Sequence, residues 1–144
     1  MERMPNTFPS YIRLEVVTPD RRIAEEEVDS VSIPGKDGYI GVLPGHAALL
    51  TELKPGTLTY TQNSGEHYVA IHWGFAEVLP DRVIVLAEVA ERAEDIDVER
   101  AENKRKSAEE FLKTHTDSDP EIERAREDLR RAICRLETAR LVRR

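Results

Sequence analysis

Between residues 124 and 144 the chain carries 8 arginines against 3 acidic residues. Residues 1–90 have the opposite balance, with 7 Lys/Arg against 13 Asp/Glu, in a chain whose formal net charge is −7. Guanidinium groups hold carboxylates and phosphates in two-pronged fashion, so an acidic body with a basic tail points to an anionic partner for the tail. The plainer reading of such a run is a solvated, solubilising face. Arg131 and Arg135 stand four apart and share a face of any helix containing them. A second constellation is the string Ile96-Asp97-Val98-Glu99-Arg100-Ala101. On residue types alone, Asp97 caps the helix that follows and Arg100 forms a local ion pair.

Other chemistry finds little support. His46, His67, His72 and His115 are scattered without metal-ligand spacing, and the pair at 67 and 72 points to opposite faces of a strand. His46, in Pro44-Gly45-His46, reads as fixing its loop by hydrogen bonding. There is no glycine-rich phosphate loop ending in Lys-Ser/Thr, no nucleophile elbow and no Cys/His pair. Acidic pairs abound, but none is marked out as a general acid. No catalytic site of its own is expected. The single cysteine, Cys134, excludes an intrachain disulfide and fits a reducing compartment. No apolar run approaches the ~20 residues that span a bilayer, and no signal-peptide pattern is seen, so a soluble protein is expected.

The elements that must position these groups follow from a change of repeat near residue 90. Before it, two-residue alternation predicts short strands over residues 12–18, 28–33, 57–62, 67–73, 75–79 and 82–87, separated by Pro, Gly and Asn turn signals. Regular strand-turn spacing predicts an antiparallel sandwich or flattened barrel. Val83-Ile84-Val85-Leu86-Ala87 is apolar at every position and reads as a central strand covered on both faces. Phe75 and Trp73, beside Gly74, read as core packing, with a docking surface as the alternative.

After residue 97 the spacing turns helical. Val98, Ala101, Ala108, Phe111 and Leu112 mark a weak stripe; Ile122, Ala125, Leu129, Ala132, Leu136 and Ala139, with Ile133 alongside, mark a stronger one. Asp119-Pro120 predicts a cap and a first-turn proline, and the loop before it folds the two helices back as an antiparallel pair. The fold class is therefore α+β: an N-terminal β-sandwich over residues 1–90 and a C-terminal antiparallel two-helix hairpin over residues 91–144. Alanines let the helices approach closely but bury little area each, so the hairpin is only marginally held and able to open or re-dock.

Three strings carry a resemblance: GYIGVLPGHAALLTELKPGTL (residues 38–58), WGFAEVLPDRVIVLAEVAE (residues 73–91) and AEDIDVERA (residues 93–101). From about Ile12 to about Leu141 the chain resembles the ε subunits of bacterial-type F-type ATP synthases. Ala48 departs from the pattern where proline is common, and Trp73 where a small residue is usual. The resemblance implies a non-catalytic rotor subunit at the foot of the central stalk, beside the γ subunit and against the c-ring, with catalysis left to the α and β subunits. It implies a role in coupling proton flow to ATP synthesis, and a hairpin that extends to block ATP hydrolysis.

The family's motifs also map onto residues. The pattern Ile/Leu-Asp-x-x-Arg-Ala belongs to an ATP site in some members, which implies Glu91, Asp97, Arg100, Arg131 and Arg135 as an ATP-binding set. ATP would then be a regulatory ligand rather than a required cofactor. An extended second helix would meet an acidic loop of the β subunit through Arg124, Arg126, Arg130 and Arg140 together with Arg131 and Arg135. The implied location is peripheral, on the cytoplasmic face of a bacterial membrane as part of the complex. The alternative is a free-standing nucleotide-sensing or adaptor module with the same fold. Nucleic-acid binding is disfavoured by the acidic total and the lack of aromatics on the basic helix.

Overall fold

The computed structural model describes residues 9–143; the expected domains also include residues 1–8 and Arg144, which lie outside the described residues. Eight strands come first: β1 (Ile12–Val17), β2 (Arg22–Val28), β3 (Ser30–Gly35), β4 (Gly38–Val42), β5 (Leu49–Leu53), β6 (Gly56–Gln62), β7 (Gly65–Leu79) and β8 (Arg82–Arg92). A single 3-10 turn, Ala93–Asp95, leads to helices α1 (Val98–Thr114) and α2 (Ile122–Arg140). The strand order is β2-β1-β8-β7-β5-β3-β4, and β6 bridges β3 and β7. That bridge folds the sheet onto itself as a flattened barrel. All pairings are antiparallel except β1 with β8, which run parallel. The core is apolar and branched: Ile12, Leu14, Val16, Leu58, Ile71, Val78, Val83 and Val85 are fully enclosed.

Besides β4 and β5, which form where no strand was expected, three features differ from the expectations. β2 has Glu25, Glu26 and Glu27 in succession, which hides its alternation; its buried face is carried by Ile23, Ala24 and Val28. The expected break at residues 73–74 is not an end but a bend inside the 15-residue β7. Trp73 (φ 55°) and Gly74 (φ 148°) both take left-handed backbone there. Ladder register is kept through the bend, His72 opposite Val89 and Gly74 opposite Ala87. Side-chain alternation is not: Val69 and Ile71 face the core before the bend, Ala76 and Val78 after it. β8 shifts phase with it, from Val83, Val85 and Ala87 to Ala90. The first half of β7 thus pairs with β6 and the second half with β5.

The third difference concerns apolar exposure. β8 is interior to the sheet as expected, but its two faces are not both covered. Leu86 is 55% exposed and its cross-strand partner Phe75 is 52% exposed. Phe75 and Trp73 are therefore not core residues. With Leu43, Leu49, Leu50 and Tyr39 they belong to a set of large apolar side chains left open on the sandwich.

α1 and α2 form the antiparallel pair. Asp97 N-caps α1, its Oδ1 accepting from the Arg100 backbone N–H at 3.0 Å. Helix α2 begins two residues after Pro120; Asp119 instead accepts from the Glu121 N–H at 2.8 Å and shapes the preceding turn. Ala101 and Ala108 of α1 are buried, as are Ile122, Ala125, Ala132 and Ala139 of α2. Helix α2 also has a second buried face, Cys134 and Thr138, laid against the sandwich.

Candidate functional site

The turn between β8 and α1 brings the basic and acidic residues together. Because β8 continues to Arg92 and α1 starts at Val98, Glu91 on the strand faces Asp97 and Arg100 at the start of the helix. Arg135 reaches them from α2 and pairs with Glu91, Nε to Oε1 at 2.5 Å. A cavity of about 270 Å³ lies between them, lined by Glu91, Asp95, Asp97, Arg100, Lys104 and Arg135. Four of the five residues of the expected ATP-binding set share this cavity. Arg131 does not line it; one turn back on α2, its Nη2 stands 3.8 Å from Glu88 and its Nε 3.3 Å from Glu127.

Charge in the cavity is balanced. Arg100, Lys104 and Arg135 stand against three carboxylates, and the Arg135–Glu91 pair neutralises one cation. An anion entering would compete with Glu91 for Arg135, while the carboxylates offer acceptors to an amino group or sugar hydroxyls. The volume is at the lower edge of small-molecule sites, about 300–1,000 Å³, so a nucleotide would extend beyond the cavity or widen it.

The other arginines point outward. Arg124 is near Glu121 at 4.0 Å, and Arg130 pairs with Glu127 at 3.1 Å. Arg126 pairs with Glu123 and Asp117, which hold its guanidinium above its usual pKa. Arg140 has no ion pair among the described residues. The first three are thus already held by carboxylates of the hairpin itself. At exposed positions each such pair is worth only about 0–1 kcal/mol and exchanges readily for another acid.

Residues outside the expected binding set fasten α2 to the sandwich. Trp73 Nε1 donates to Glu127. Thr138 and Thr57 share a 2.7 Å hydroxyl hydrogen bond, and Thr138 also donates to the Cys134 carbonyl. Burial pushes the Cys134 thiol up to about 11, so it stays protonated and donates to the Gly56 carbonyl at 3.3 Å. Beyond α2, the Arg143 guanidinium donates to the Ile96 carbonyl at 2.9 Å. The apolar part of the contact is small: Ala70, Ile96, Cys134 and Ala139, with Val98 at its edge. Small polar side chains give no periodic hydrophobic signal, which is why this face of α2 was not legible.

His72 lies beneath the helix, fully buried, and neither ring nitrogen has a hydrogen-bond partner. Burial, with Arg135 and Arg131 adding to it and Glu127 opposing, pushes its pKa down to about 4. The opposite-face expectation for the two histidines holds, since His67 stacks on Tyr60 at 4.9 Å while His72 faces α2. Partial burial would raise the Glu127 carboxyl, but the Trp73 N–H and Arg130, with Arg131 nearby, hold it below its usual value.

Residues 11–93 match the β-sandwich domain of the ATP synthase delta/epsilon chain, and residues 94–140 match the long α-helix domain of the same family. The chain belongs to the ATP synthase delta/epsilon family. The join between the two matched domains falls in the turn just described, one residue beyond the end of β8. An ATP synthase epsilon chain from Koribacter versatilis is 50% identical over 111 residues, spanning 77% of this chain and 75% of that one. The corresponding chain of Herpetosiphon aurantiacus is 47% identical over 130 residues, spanning 90% and 95%. A chain in the Euglena gracilis mitochondrial ATP synthase, solved as an OSCP/F1/c-ring assembly, shares the fold. Its TM-score is 0.77 at 24% identity, over 97% of this chain and 87% of that chain. By family this is an epsilon-type, non-catalytic subunit of ATP synthase. No helix among the described residues is long and apolar enough to cross a membrane.

Proposed function

We propose that the chain is a rotor subunit of a proton-translocating ATP synthase, its sandwich docked on the γ subunit and the c-ring and its hairpin acting as a brake on ATP hydrolysis. The observation that carries this is the contrast between the two surfaces of the sandwich. One side leaves Leu50, Phe75 and Leu86 each more than half exposed, large apolar side chains on one face that a permanent partner would cover. The other side holds α2 through hydroxyls, carbonyls and ion pairs, groups that water satisfies equally well once the helix leaves. The anchor is built to stay and the hairpin to leave.

The docked hairpin is the resting, non-inhibiting form in this reading. When extended, α2 would exchange the hairpin carboxylates that pair with Arg124, Arg126 and Arg130 for acidic residues of the β subunit, with Arg140 adding a cation. ATP held between Asp97, Arg100 and Arg135 would tie α1 to α2 and favour the docked form by RT ln(1 + [L]/Kd). The location that follows is peripheral, on the cytoplasmic face of a bacterial membrane. Reconstitution tests the assignment: an ATP synthase stripped of its own epsilon chain should take up this one in company with γ, and regain proton-driven ATP synthesis. Failure to bind γ or to restore coupling would overturn it.

A further inference from the structure

Three non-glycine residues among those described take left-handed backbone: Asn63 (φ 52°), Ser64 (φ 65°) and Trp73 (φ 55°). The first two form the tight β6–β7 turn, where that conformation is the rule. Trp73 stands alone inside a strand, and for a bulky residue the conformation is strained. Its neighbour shows what the bend itself demands. A Cβ on Gly74 would lie 2.1 Å from the Leu86 carbonyl oxygen, so only glycine fits there. Glycine at residue 73 would take the same bend without strain, so the tryptophan must return something the bend does not need.

What it returns is a contact with α2. The indole N–H donates to Glu127 Oε1, which also lies 3.3 Å from Arg131 Nε, while Oε2 accepts from Arg130 Nη1 at 3.1 Å. The carboxylate is thus held by Arg130 of its own helix with Arg131 close by, and Trp73 is the group of the sandwich that meets it. The ties between α2 and the sandwich run in sequence through Glu127, Arg131, Cys134, Arg135 and Thr138. Glu127 is the outermost, nearest the loop between the helices. Any peeling of α2 that begins at that loop breaks the Trp73 contact first.

We infer that Trp73 is a latch, a strained residue kept at the bend of β7 so that its indole fastens the loop-side end of α2 to the sandwich through Glu127. The latch gives the proposed brake its release point, and it rests on that reading only for its purpose, since the contact itself belongs to the isolated chain. Hydrogen exchange of α2 amides in the full-length isolated protein reads it directly. Trp73→Gly should leave the thermal midpoint of the sandwich unchanged or raised, while exchange in the first three turns of α2 accelerates on the order of tenfold, the change expected for one hydrogen bond to a charged group. Trp73→Phe, which keeps a ring and the strain but not the N–H, should accelerate it similarly. The single tryptophan supplies a second readout: Glu127→Ala should shift indole emission to the red and speed the same amides. Unchanged α2 exchange in Trp73→Gly and Trp73→Phe would overturn the latch. Unchanged inhibition of the assembled enzyme, with exchange accelerated, would instead count against the brake.

Discussion

Acidification should loosen the hairpin chiefly through His72, with the depressed Glu127 carboxyl acting in the same direction at lower pH. The His72 ring is fully buried under α2 with both nitrogens unpartnered, and Arg131, Arg135 and Glu127 of α2 are the charged groups acting on it. With α2 in place the imidazole titrates at about 4; once α2 lifts, it regains its ordinary value near 6.5. The undocked form therefore binds the proton first. Docking is fully stable above about pH 6.5 and weakens as pH falls, until both forms are protonated below about pH 4. Each pH unit in that window costs about 1.4 kcal/mol, so about 2 kcal/mol is lost by pH 5 and about 3 kcal/mol by pH 4. Hydrogen exchange in α2 between pH 7 and 4.5, corrected for intrinsic exchange rates, measures this loss. His72→Leu, which fills the space without a proton site, should flatten the profile and slow exchange at pH 5. A profile equally steep in His72→Leu would refute the reasoning, placing the proton uptake elsewhere.

Titrating ATP into the isolated chain in a calorimeter should give heat at millimolar nucleotide, abolished by Arg100→Ala and by Arg135→Ala but little altered by Arg131→Ala, which removes a side chain outside the cavity. Neutralising Arg124, Arg126, Arg130 and Arg140 together with glutamine should relieve inhibition of the assembled enzyme, whereas each single change should shift it less than twofold because exposed pairs contribute about 0–1 kcal/mol; the parent's inhibition should also fade with rising salt. Replacing Phe75 and Leu86 together by serine should leave the melting temperature of the free protein within a few degrees while weakening its capture by γ. Ala132→Leu, at a fully buried position of α2, should cost about 1–3 kcal/mol of hairpin stability by overpacking, seen as faster exchange in both helices with the sandwich unaffected.

The sandwich and the hairpin were legible because alternation and helical spacing report burial, and most of this chain buries ordinary aliphatic residues. β2 was not, because three consecutive glutamates mask a strand whose inner face is held by Ile23, Ala24 and Val28. The bend of β7 reads as a break, since Trp73-Gly74 disturbs the alternation without ending the ladder. The apolar run through Leu86 reads as doubly covered, but among the described residues Leu86 is left more than half exposed. Of the candidate nucleotide residues, Glu91, Asp97, Arg100 and Arg135 meet because β8 and the two helices converge on one turn. Arg131, on the same helix face as Arg135, is drawn off by Glu88 and Glu127. Helix spacing fixes a face, whereas the partners across from it depend on the tertiary contact. The docking face of α2 was the least legible part, being made of Cys134 and Thr138 and backbone carbonyls.

The brake is the central claim, and ATP hydrolysis by the assembled complex tests it most directly. The enzyme reassembled with the full chain should hydrolyse ATP more slowly than the enzyme reassembled with residues 1–93 alone, while both retain γ and proton-driven synthesis. Equal hydrolysis by the two enzymes, with incorporation confirmed, would contradict the account.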